Sequence, residues 1–336
     1  MSMFGAIRDT LYAMTSCFSS PTIYLNRRTF RMVKLLGEGG FSYVYLVKDT
    51  NTGLLYALKI IRCPFGSDSV KDAMKEVEMY RLFQHENIIK VIDTCVVQDK
   101  DGAKIVYIFL PYYKRGNLQD AIDEHNLNNT RFDETEMLKL FRQICYAVRA
   151  LHTYQLPAVP ISREDSQPNG QTGSSNLVPF AHRDIKPGNV LISDEGDAAI
   201  LMDFGSLIRA RIKIVNRAQA LSQQDLAAER STMPYRAPEL FDVKTNTQLD
   251  EKVDIWSLGC TLYAMAYGKS PFESSSTEDG GSIALAAINA QIRFPENDQY
   301  SSEFNDLITY MFVVEPKLRP DIHQVIALVD SLLETT

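Results

Sequence analysis

Cysteine is scarce in this sequence and follows no pattern. Cys17, Cys63, Cys95, Cys145 and Cys260 are scattered, with no C-x-x-C pair and no regular spacing. That excludes a zinc module or a disulfide scaffold as the organising principle and suits a reducing, cytosolic setting. The sequence has no apolar run long enough to span a bilayer, and no basic start followed by an apolar centre as in a secretory signal. No internal repeat recurs. The net charge is −7 without any long basic block, so neither nucleic acid nor a polybasic lipid patch is expected. Glycine is missing from position 2, where Ser2 stands, which excludes N-myristoylation. What remains is a chain of 336 residues, 45% hydrophobic, with material for one large domain or two modest ones.

Its densest stretch of chemistry is His182-Arg183-Asp184-Ile185-Lys186-Pro187-Gly188-Asn189, followed by apolar Val190-Leu191-Ile192. An acid, two cations and a side-chain amide share one turn-rich run. That set suits phosphoryl transfer, where positioning and charge neutralisation supply most of the rate. Asp184 can accept or orient the proton of an attacking hydroxyl, and Lys186 can meet the transferring phosphoryl group. Asn189 can hold a magnesium ion through its side-chain oxygen. A strand over residues 199–202 leads into Asp203, whose carboxylate would complete that site, since oxygen ligands suit a hard cation.

Residues 29–61 alternate β-prone runs with turn residues. A strand over 30–36 is followed by a turn, Gly37-Glu38-Gly39-Gly40-Phe41-Ser42, and a second strand over 43–47. Glycines there let backbone amides approach phosphates without obstruction. They join two strands and do not lead from strand into helix, which sets a dinucleotide fold aside. Tyr56-Ala57-Leu58-Lys59 ends a third strand. A lysine at the end of a buried strand needs an anion to meet it, and a helix predicted over 70–83 offers Glu76. Glu78, two residues on, would face away.

These pieces resemble the motifs of eukaryotic protein kinases in order and spacing, from residue 29 to residue 333. His182 to Asn189 is similar to H-R-D-x-x-x-x-N, with Lys186 giving it the serine/threonine form. Residues 56–59 resemble V-A-I-K, Asp203-Phe204-Gly205 matches D-F-G, and Ala237-Pro238-Glu239 matches A-P-E. The phosphate lid departs from G-x-G-x-x-G, with Ser42 as its third member. A closer likeness is to the numb-associated kinase family, and within it to the myristoylated and palmitoylated serine/threonine kinases and their fungal vacuole-membrane relatives. It rests on residues 36–44, Lys114-Arg115-Gly116, residues 202–206, residues 235–241 and residues 217–230.

The resemblance implies an α+β, bilobal kinase fold with an N-lobe and hinge over 29–113 and a C-lobe over 114–336. It implies ATP and Mg2+ as cofactors, Asp184, Lys186, Lys59 and Glu76 as catalytic groups, and Asn189 and Asp203 as metal ligands. The nucleotide would be met by Gly37, Glu38, Gly39, Gly40 and Lys59. Val44, Ala57 and Leu191 would sandwich adenine, with Leu110 as gatekeeper and Pro111 and Tyr113 in the hinge. Ser222, Ser231 and Thr232 belong to an activation segment with an unusual helix, and a phosphate on any of them could dock against Arg183. Thr232 is expected near Asp184, Glu239 is expected to pair with Arg319, and Asp254 is expected to brace the catalytic loop. Protein serine and threonine hydroxyls would be the substrates. The alternative is a pseudokinase scaffold, disfavoured because Lys59, Glu76, Asp184, Lys186, Asn189 and Asp203 are all present.

Two segments fall outside those motifs. In the tail, residues 1–28, Phe4, Ile7, Leu11, Met14 and Phe18 form one helical stripe, with Cys17 beside its end as a palmitoylation candidate. The resemblance implies peripheral anchoring at endomembranes, Golgi or vacuole, with a role in trafficking. The alternatives are a helix docked on the protein surface or a frayed tail. A single acyl chain at Cys17 would hold only reversibly, with the amphipathic tail as a second signal. Residues 155–179, rich in Pro, Ser, Asn and Gly, read as a flexible surface insertion.

Overall fold

The computed structural model describes residues 21–39, 42–64, 67–156, 176–273 and 282–335. The tail stripe with Cys17, Gly40 of the glycine turn, and residues 157–175 of the insertion lie outside the described residues. The chain divides into two compact units, the first reaching Gln84 and including Ile89–Tyr113, the second comprising His85–Ile88 and everything from Lys114 onward.

Among its described residues, the first unit is an antiparallel six-stranded sheet carrying one helix. Its strands are β1 (Thr22–Leu25), β2 (Arg28–Gly39), β3 (Ser42–Asp49), β4 (Leu55–Cys63), β5 (Asp93–Gln98) and β6 (Lys104–Pro111), in the order β1-β2-β3-β4-β6-β5. Strand alternation sorts the side chains. Val47, Tyr56, Leu58, Tyr107 and Phe109 share one face and pack with Leu25 and Phe30, the Phe30 and Phe109 rings lying 4.7 Å apart. The opposite face carries Val44, Ala57, Lys59, Ile108 and Leu110, as the pairings Val44↔Lys59, Ala57↔Leu110 and Lys59↔Ile108 require. Helix α1 (Ser67–Leu82) packs on β4 and β6 and buries Ala73, Val77 and Tyr80, spaced four and three residues apart.

Two features here differ from the sequence expectation. Residues 22–25, assigned to the tail, form the edge strand β1, paired from Thr22↔Arg31 to Leu25↔Arg28. The connecting residues Asn26 and Arg27 both take positive φ, 48° and 62°, as a type I′ hairpin demands. Asn26 is fixed by donating to Asp93 (2.8 Å) and to the Thr94 carbonyl (3.1 Å). The glycine stretch, expected as a turn, largely continues the ladder, with Gly37↔Val44, Glu38↔Tyr43 and Gly39↔Ser42 paired.

In the second unit, α2 (Leu118–Asn128) is followed by α3 (Glu134–His152), whose Met137, Phe141, Ile144, Val148 and Leu151 are fully buried along the stripe that the 3.6-residue period predicts. Short strands follow as β7 (Phe180–Ala181), β8 (Val190–Ile192), β9 (Ala199–Leu201), β10 (Ile208–Arg209) and β11 (Ile212–Ile214). Then come α4 (Arg217–Arg230), β12 (Thr247–Leu249), α5 (Val253–Tyr267), α6 (Ile283–Ile288), α7 (Ser302–Met311) and α8 (Ile322–Thr335). Helix α8 packs on α3, and α7 on α5. Gly259 permits the second contact, since a Cβ there would come within 3.1 Å of both Met311 and Phe312. The Trp256 ring stacks on Phe272 at 5.4 Å with Phe312 edge-on. Arg319, expected to pair with Glu239, does so with both terminal nitrogens, at 2.8 and 2.9 Å.

His85–Ile88, placed with the first lobe by sequence, belongs to the second unit. Asn87 donates to Gln143 and to the Ala199 carbonyl, and Ile88 bridges to Leu201. Both ends of the stretch expected as an insertion over 155–179 are tied into the second unit. Leu156 and Val178 amides donate to Asn176 and Tyr154 carbonyls, both at 2.8 Å, around a Gln155↔Leu177 bridge. Tyr154 meets Phe180 edge-on. A handful of backbone bonds and one aromatic contact order these ends, which an average over the whole stretch conceals.

Asp49 closes the β3–β4 turn by accepting from Thr52 (3.0 Å) and Asn51 (2.8 Å) amides, while Arg28 Nε donates to its other oxygen at 2.7 Å. The Thr52 amide, Arg28 and the Asn51 amide together hold its pKa down to about 2. Because the folded value lies below that of the unfolded chain, this stabilisation is complete above about pH 4 and fades as pH falls toward 2. Asp49→Asn is therefore expected to lower the urea midpoint at neutral pH, with the wild-type and variant midpoints converging across that acid window.

Candidate active site

The first unit contributes one charged pair. Alternation along β4 puts Lys59 on the face shared with Val44, Ala57 and Leu110, and helix α1 presents Glu76 to it. Lys59 Nζ lies 2.7 Å from Glu76 Oε1, and the Tyr80 hydroxyl donates to the same oxygen at 3.1 Å. Glu76 is buried and Glu78 exposed, in keeping with their separation on the helix. Tyr80 escaped the sequence reading, although it sits one turn after Glu76, the spacing at which helix side chains meet. A Cβ on Gly37 would meet nothing within 4 Å, and one on Gly39 would approach Ser42 Oγ at 3.1 Å. Glu38 lies between them in the ladder, and Pro111 ends β6 opposite Tyr56, two residues before Tyr113.

The second unit has its own cluster around Asp254, fully buried in the first turn of α5. Its carboxylate accepts the backbone amides of His182 (2.7 Å) and Arg183 (2.8 Å), and His152 Nε2 at 3.0 Å. Burial alone would push this acid up, yet the His152 hydrogen bond, the neighbouring imidazoles and the Arg183 amide hold it below its ordinary value. Arg183 is thereby fixed at φ 66°. The His182 ring, also fully buried, accepts the Asp184 amide at Nδ1, which leaves Nε2 to donate to the Met202 carbonyl at 3.0 Å. That bond ties the loop to the residue preceding Asp203.

Asp184 is surrounded by donors. Oδ1 accepts the Thr232 amide at 2.8 Å, and Oδ2 accepts from Asn189 Nδ2 at 2.9 Å and from Lys186 at 3.0 Å. Lys186 also donates to the Thr232 hydroxyl at 2.5 Å. Asn189 spends its Nδ2 on the Asp184 side chain and carbonyl. The β8–β9 hairpin pairs Val190 with Leu201, Leu191 with Ile200, and Met202 N with the Asn189 carbonyl at 2.9 Å. Asn189 and Asp203 therefore leave the same end of one hairpin, Asp203 in the left-handed region at φ 65°, while Leu191 lies half-buried within it.

Of the activation-segment candidates, Ser222 is exposed on α4. Ser231 caps that helix, its hydroxyl donating to the Ala227 carbonyl at 2.7 Å and accepting from Arg236 Nε at 2.8 Å. Arg236 is a second residue that the sequence did not single out, and it also grips the Ser231 carbonyl. Sequence reasoning passed over His152 as well, since a histidine ending an apolar helix carries no signal of its own.

Replacing Asp254 by asparagine keeps the shape and turns one acceptor into a donor facing an N–H. Asp254→Asn is expected to cost about 1–3 kcal/mol of stability. It should also accelerate amide hydrogen exchange at His182 and Arg183 more than elsewhere in the second unit, which denaturant titration and exchange spectroscopy would read.

With this geometry in hand, the comparisons with known proteins are specific. The profile of the protein kinase domain matches residues 30–161 and 174–328. The chain is 37% identical over 331 residues to Serine/threonine-protein kinase ppk13 of Schizosaccharomyces pombe, covering 96% of each chain. To Serine/threonine-protein kinase ENV7 of Saccharomyces cerevisiae it is 35% identical over 370 residues, covering 98% of this chain and 100% of that one. Human Serine/threonine-protein kinase 16 is 36% identical over 321 residues, 96% of this chain and 95% of its own. Matched along nearly its whole length by kinases of one kind, this β-rich unit followed by a helical one belongs to the protein kinase family, among its serine/threonine members.

Proposed function

We propose that this kinase transfers the γ-phosphoryl group of ATP to protein serine and threonine hydroxyls, with Asp184 accepting the hydroxyl proton. The observation that carries the reading is the donor shell of Asp184. Thr232 N–H, Asn189 Nδ2 and Lys186 Nζ all point at its carboxylate within 3.0 Å, so it is held as an acceptor in one orientation. Lys186, 28% exposed at its side chain, keeps enough freedom to meet a phosphoryl oxygen while touching Thr232. Thr232 lies against both and borders the place for a protein substrate.

Asn189 and Asp203 would hold magnesium. One amide oxygen and one carboxylate form the small, hard donor set that suits an ion keeping water and phosphate oxygens as further ligands. The ion, when bound, neutralises charge on the phosphates. In the first unit, Lys59, held by Glu76, whose Oε1 also accepts the Tyr80 hydroxyl, would meet the nucleotide phosphates, and the backbone of Gly37 and Gly39 would approach them. Val44, Ala57 and Leu110 of the first unit would offer adenine apolar surface and Pro111 and Tyr113 backbone polar groups, and Leu191 is the apolar candidate of the second unit.

Transfer from ATP with magnesium to a general protein substrate, with the phosphorylated residues identified, tests the assignment. Asp184→Asn is expected to lower kcat by about 10²–10⁴-fold, the size of a general acid–base contribution, and Lys59→Arg to abolish most transfer while nucleotide still binds. Full activity in Asp184→Asn would sink the assignment.

We also propose peripheral residence at endomembranes, Golgi or vacuole, in membrane trafficking. The apolar stripe Phe4, Ile7, Leu11, Met14 and Phe18 beside Cys17 supports it, as does the likeness to lipid-anchored kinases. No helix among the described residues is long and apolar enough to cross a membrane. Cys17→Ser is expected to move most of the protein from the membrane pellet to the supernatant on cell fractionation, as a loss of tritiated or clickable palmitate label would confirm. An unlabelled wild-type protein that still pelleted would leave the stripe, not acylation, as the anchor.

A further inference from the structure

Cations gather at one corner of the first unit's sheet. Strand register sets Thr22, Arg31, Lys48 and Leu55 in one row, since Thr22 pairs with Arg31, Arg31 with Lys48 and Lys48 with Leu55. Directly paired residues share a face, so Arg31 and Lys48 stand side by side, and like charges so placed destabilise a sheet. Lys34 is exposed further along β2, past the bulge between Met32 and Lys34, and Arg27 is exposed in the β1–β2 turn. None of these four has an ion pair among the described residues. Asp49 is the one acid within residues 21–36 and 43–56, and it is buried and occupied by Arg28 and two turn amides. Asp93 of β5 comes to the hairpin tip, where it accepts from Asn26. The corner is thus basic in a chain whose net charge is −7. No run of the sequence announces it, because strand pairing gathers what the sequence disperses.

Apolar surface flanks these cations. Tyr24, two residues from Thr22 on the same face of β1, is 68% exposed, and Leu55, which ends the row, is 37% exposed. The Lys48 stem lies along the β3–β4 turn, where a Cβ on Gly53 would come within 3.7 Å of its Cε. The row sits at the turn end of β4, two residues before Ala57 and its partner Leu110, so the surface assigned to adenine lies beyond it. Pro21 leads into the corner, its carbonyl accepting the Met32 amide at 2.9 Å. Cys17 stands five residues before Thr22, a reach of about 17 Å for a fully extended chain.

We propose that this corner of β1–β4 seats the protein on an anionic phospholipid surface, with Arg31, Lys34 and Lys48 against lipid phosphates and Tyr24 in the interfacial layer. The inference rests on the membrane residence proposed above and adds to it the side of the protein that meets the bilayer. One acyl chain holds a protein only reversibly, and a basic surface is a second signal that makes the attachment last. The short covalent reach from Cys17 would bring these cations to the headgroups, where anionic lipid attracts each of them. Amphipathic Tyr24 suits the same depth. Cations spread over an open sheet corner, without a pocket, match a field of mobile headgroups better than one fixed phosphate. The Arg31–Lys48 repulsion is relieved where such a field supplies the counter-charge.

The test is cosedimentation of the full, unacylated chain with phosphatidylcholine vesicles, with and without phosphatidylserine. Wild type is expected to bind the phosphatidylserine vesicles and to leave them as salt rises. Arg31→Gln, Lys34→Gln and Lys48→Gln together are expected to weaken that binding about 10²-fold, or about fivefold for each cation removed. Phosphate transfer to a soluble protein substrate is expected to be unchanged in the triple variant. Lys48→Glu places opposite charges across the pair, so it is expected to raise the thermal midpoint while weakening vesicle binding, which separates lost binding from misfolding. Undiminished phosphatidylserine binding by the triple variant would overturn the inference, as would equal binding of wild type to both kinds of vesicle. So would a wild type that ignores both but is retained by immobilised polyglutamate through the same three residues, which would assign the corner to an acidic protein. Fractionated cells distinguish the two readings. Wild type wholly in the supernatant removes the membrane reading and this inference together. Wild type in the pellet, beside a triple variant equally pelleted and equally bound to vesicles, removes this inference alone.

Discussion

The second unit's chemistry hangs on the burial of one carboxylate. An ion taken out of water is costly unless its lone pairs are filled, and Asp254 fills them with two consecutive backbone amides and an imidazole. Its place in the first turn of α5 adds the favourable end of the helix dipole. Because two of its donors are main chain, what it fixes is the path of the loop itself, independent of side-chain identity. From there the order of dependence is plain. The path sets the His182 ring, the ring reaches Met202 O, and the loop's next residue, Asp184, collects its three donors.

Two buried arginines show how differently the same ion can be treated. Arg319 satisfies all five of its donors, through Glu239 twice and the carbonyls of Val313, Val314 and Lys252. It is a structural fastening with nothing left to give. Arg183 is almost as deeply buried but meets a neutral amide, and its Nε has no partner among the described residues. The Lys59–Glu76 pair lies between these extremes, with the Tyr80 hydroxyl sharing the acceptor and the lysine partly exposed.

Much of the protein kinase fold was legible because its chemistry is written in short runs. The stripe of α3 followed from its period, and Glu76 was separable from Glu78 because two residues on a helix point apart. The Asp254 brace and the Glu239–Arg319 pair, expected by resemblance, have the geometry that resemblance implies. What escaped lacked a local signal. Strand β1 is announced by Asn26-Arg27, where the usual hairpin signature would have glycine second, and only long-range bonds from Asn26 make the turn secure. Helix α4 has no apolar stripe, because its inward face is alanine and glutamine, so hydrophobic periodicity says nothing about which way it turns. Gln223, the amide that Arg183 meets, lay in plain view within a segment already recognised, and nothing short of coordinates could show that contact.

Left-handed backbone at non-glycine positions sharpens the point. Asn129 and Asn246 take it where a helix cap and a loop tolerate asparagine. Asp203 shares some of that tolerance but Arg183 does not, and strained conformations cost about 1–3 kcal/mol each unless the surroundings over-determine them. Here the surroundings do. Asp254 takes the Arg183 amide on one side, and His182 takes the Met202 carbonyl immediately before Asp203 on the other. One carboxylate and one ring therefore hold both strained residues, with the strand pairing of β8 and β9 between them. The strain sits beside the groups assigned to proton acceptance and metal binding, and the stability of α5 and α3 is what sustains it. A loop built this way is fixed by the core of its own unit before any nucleotide or substrate arrives.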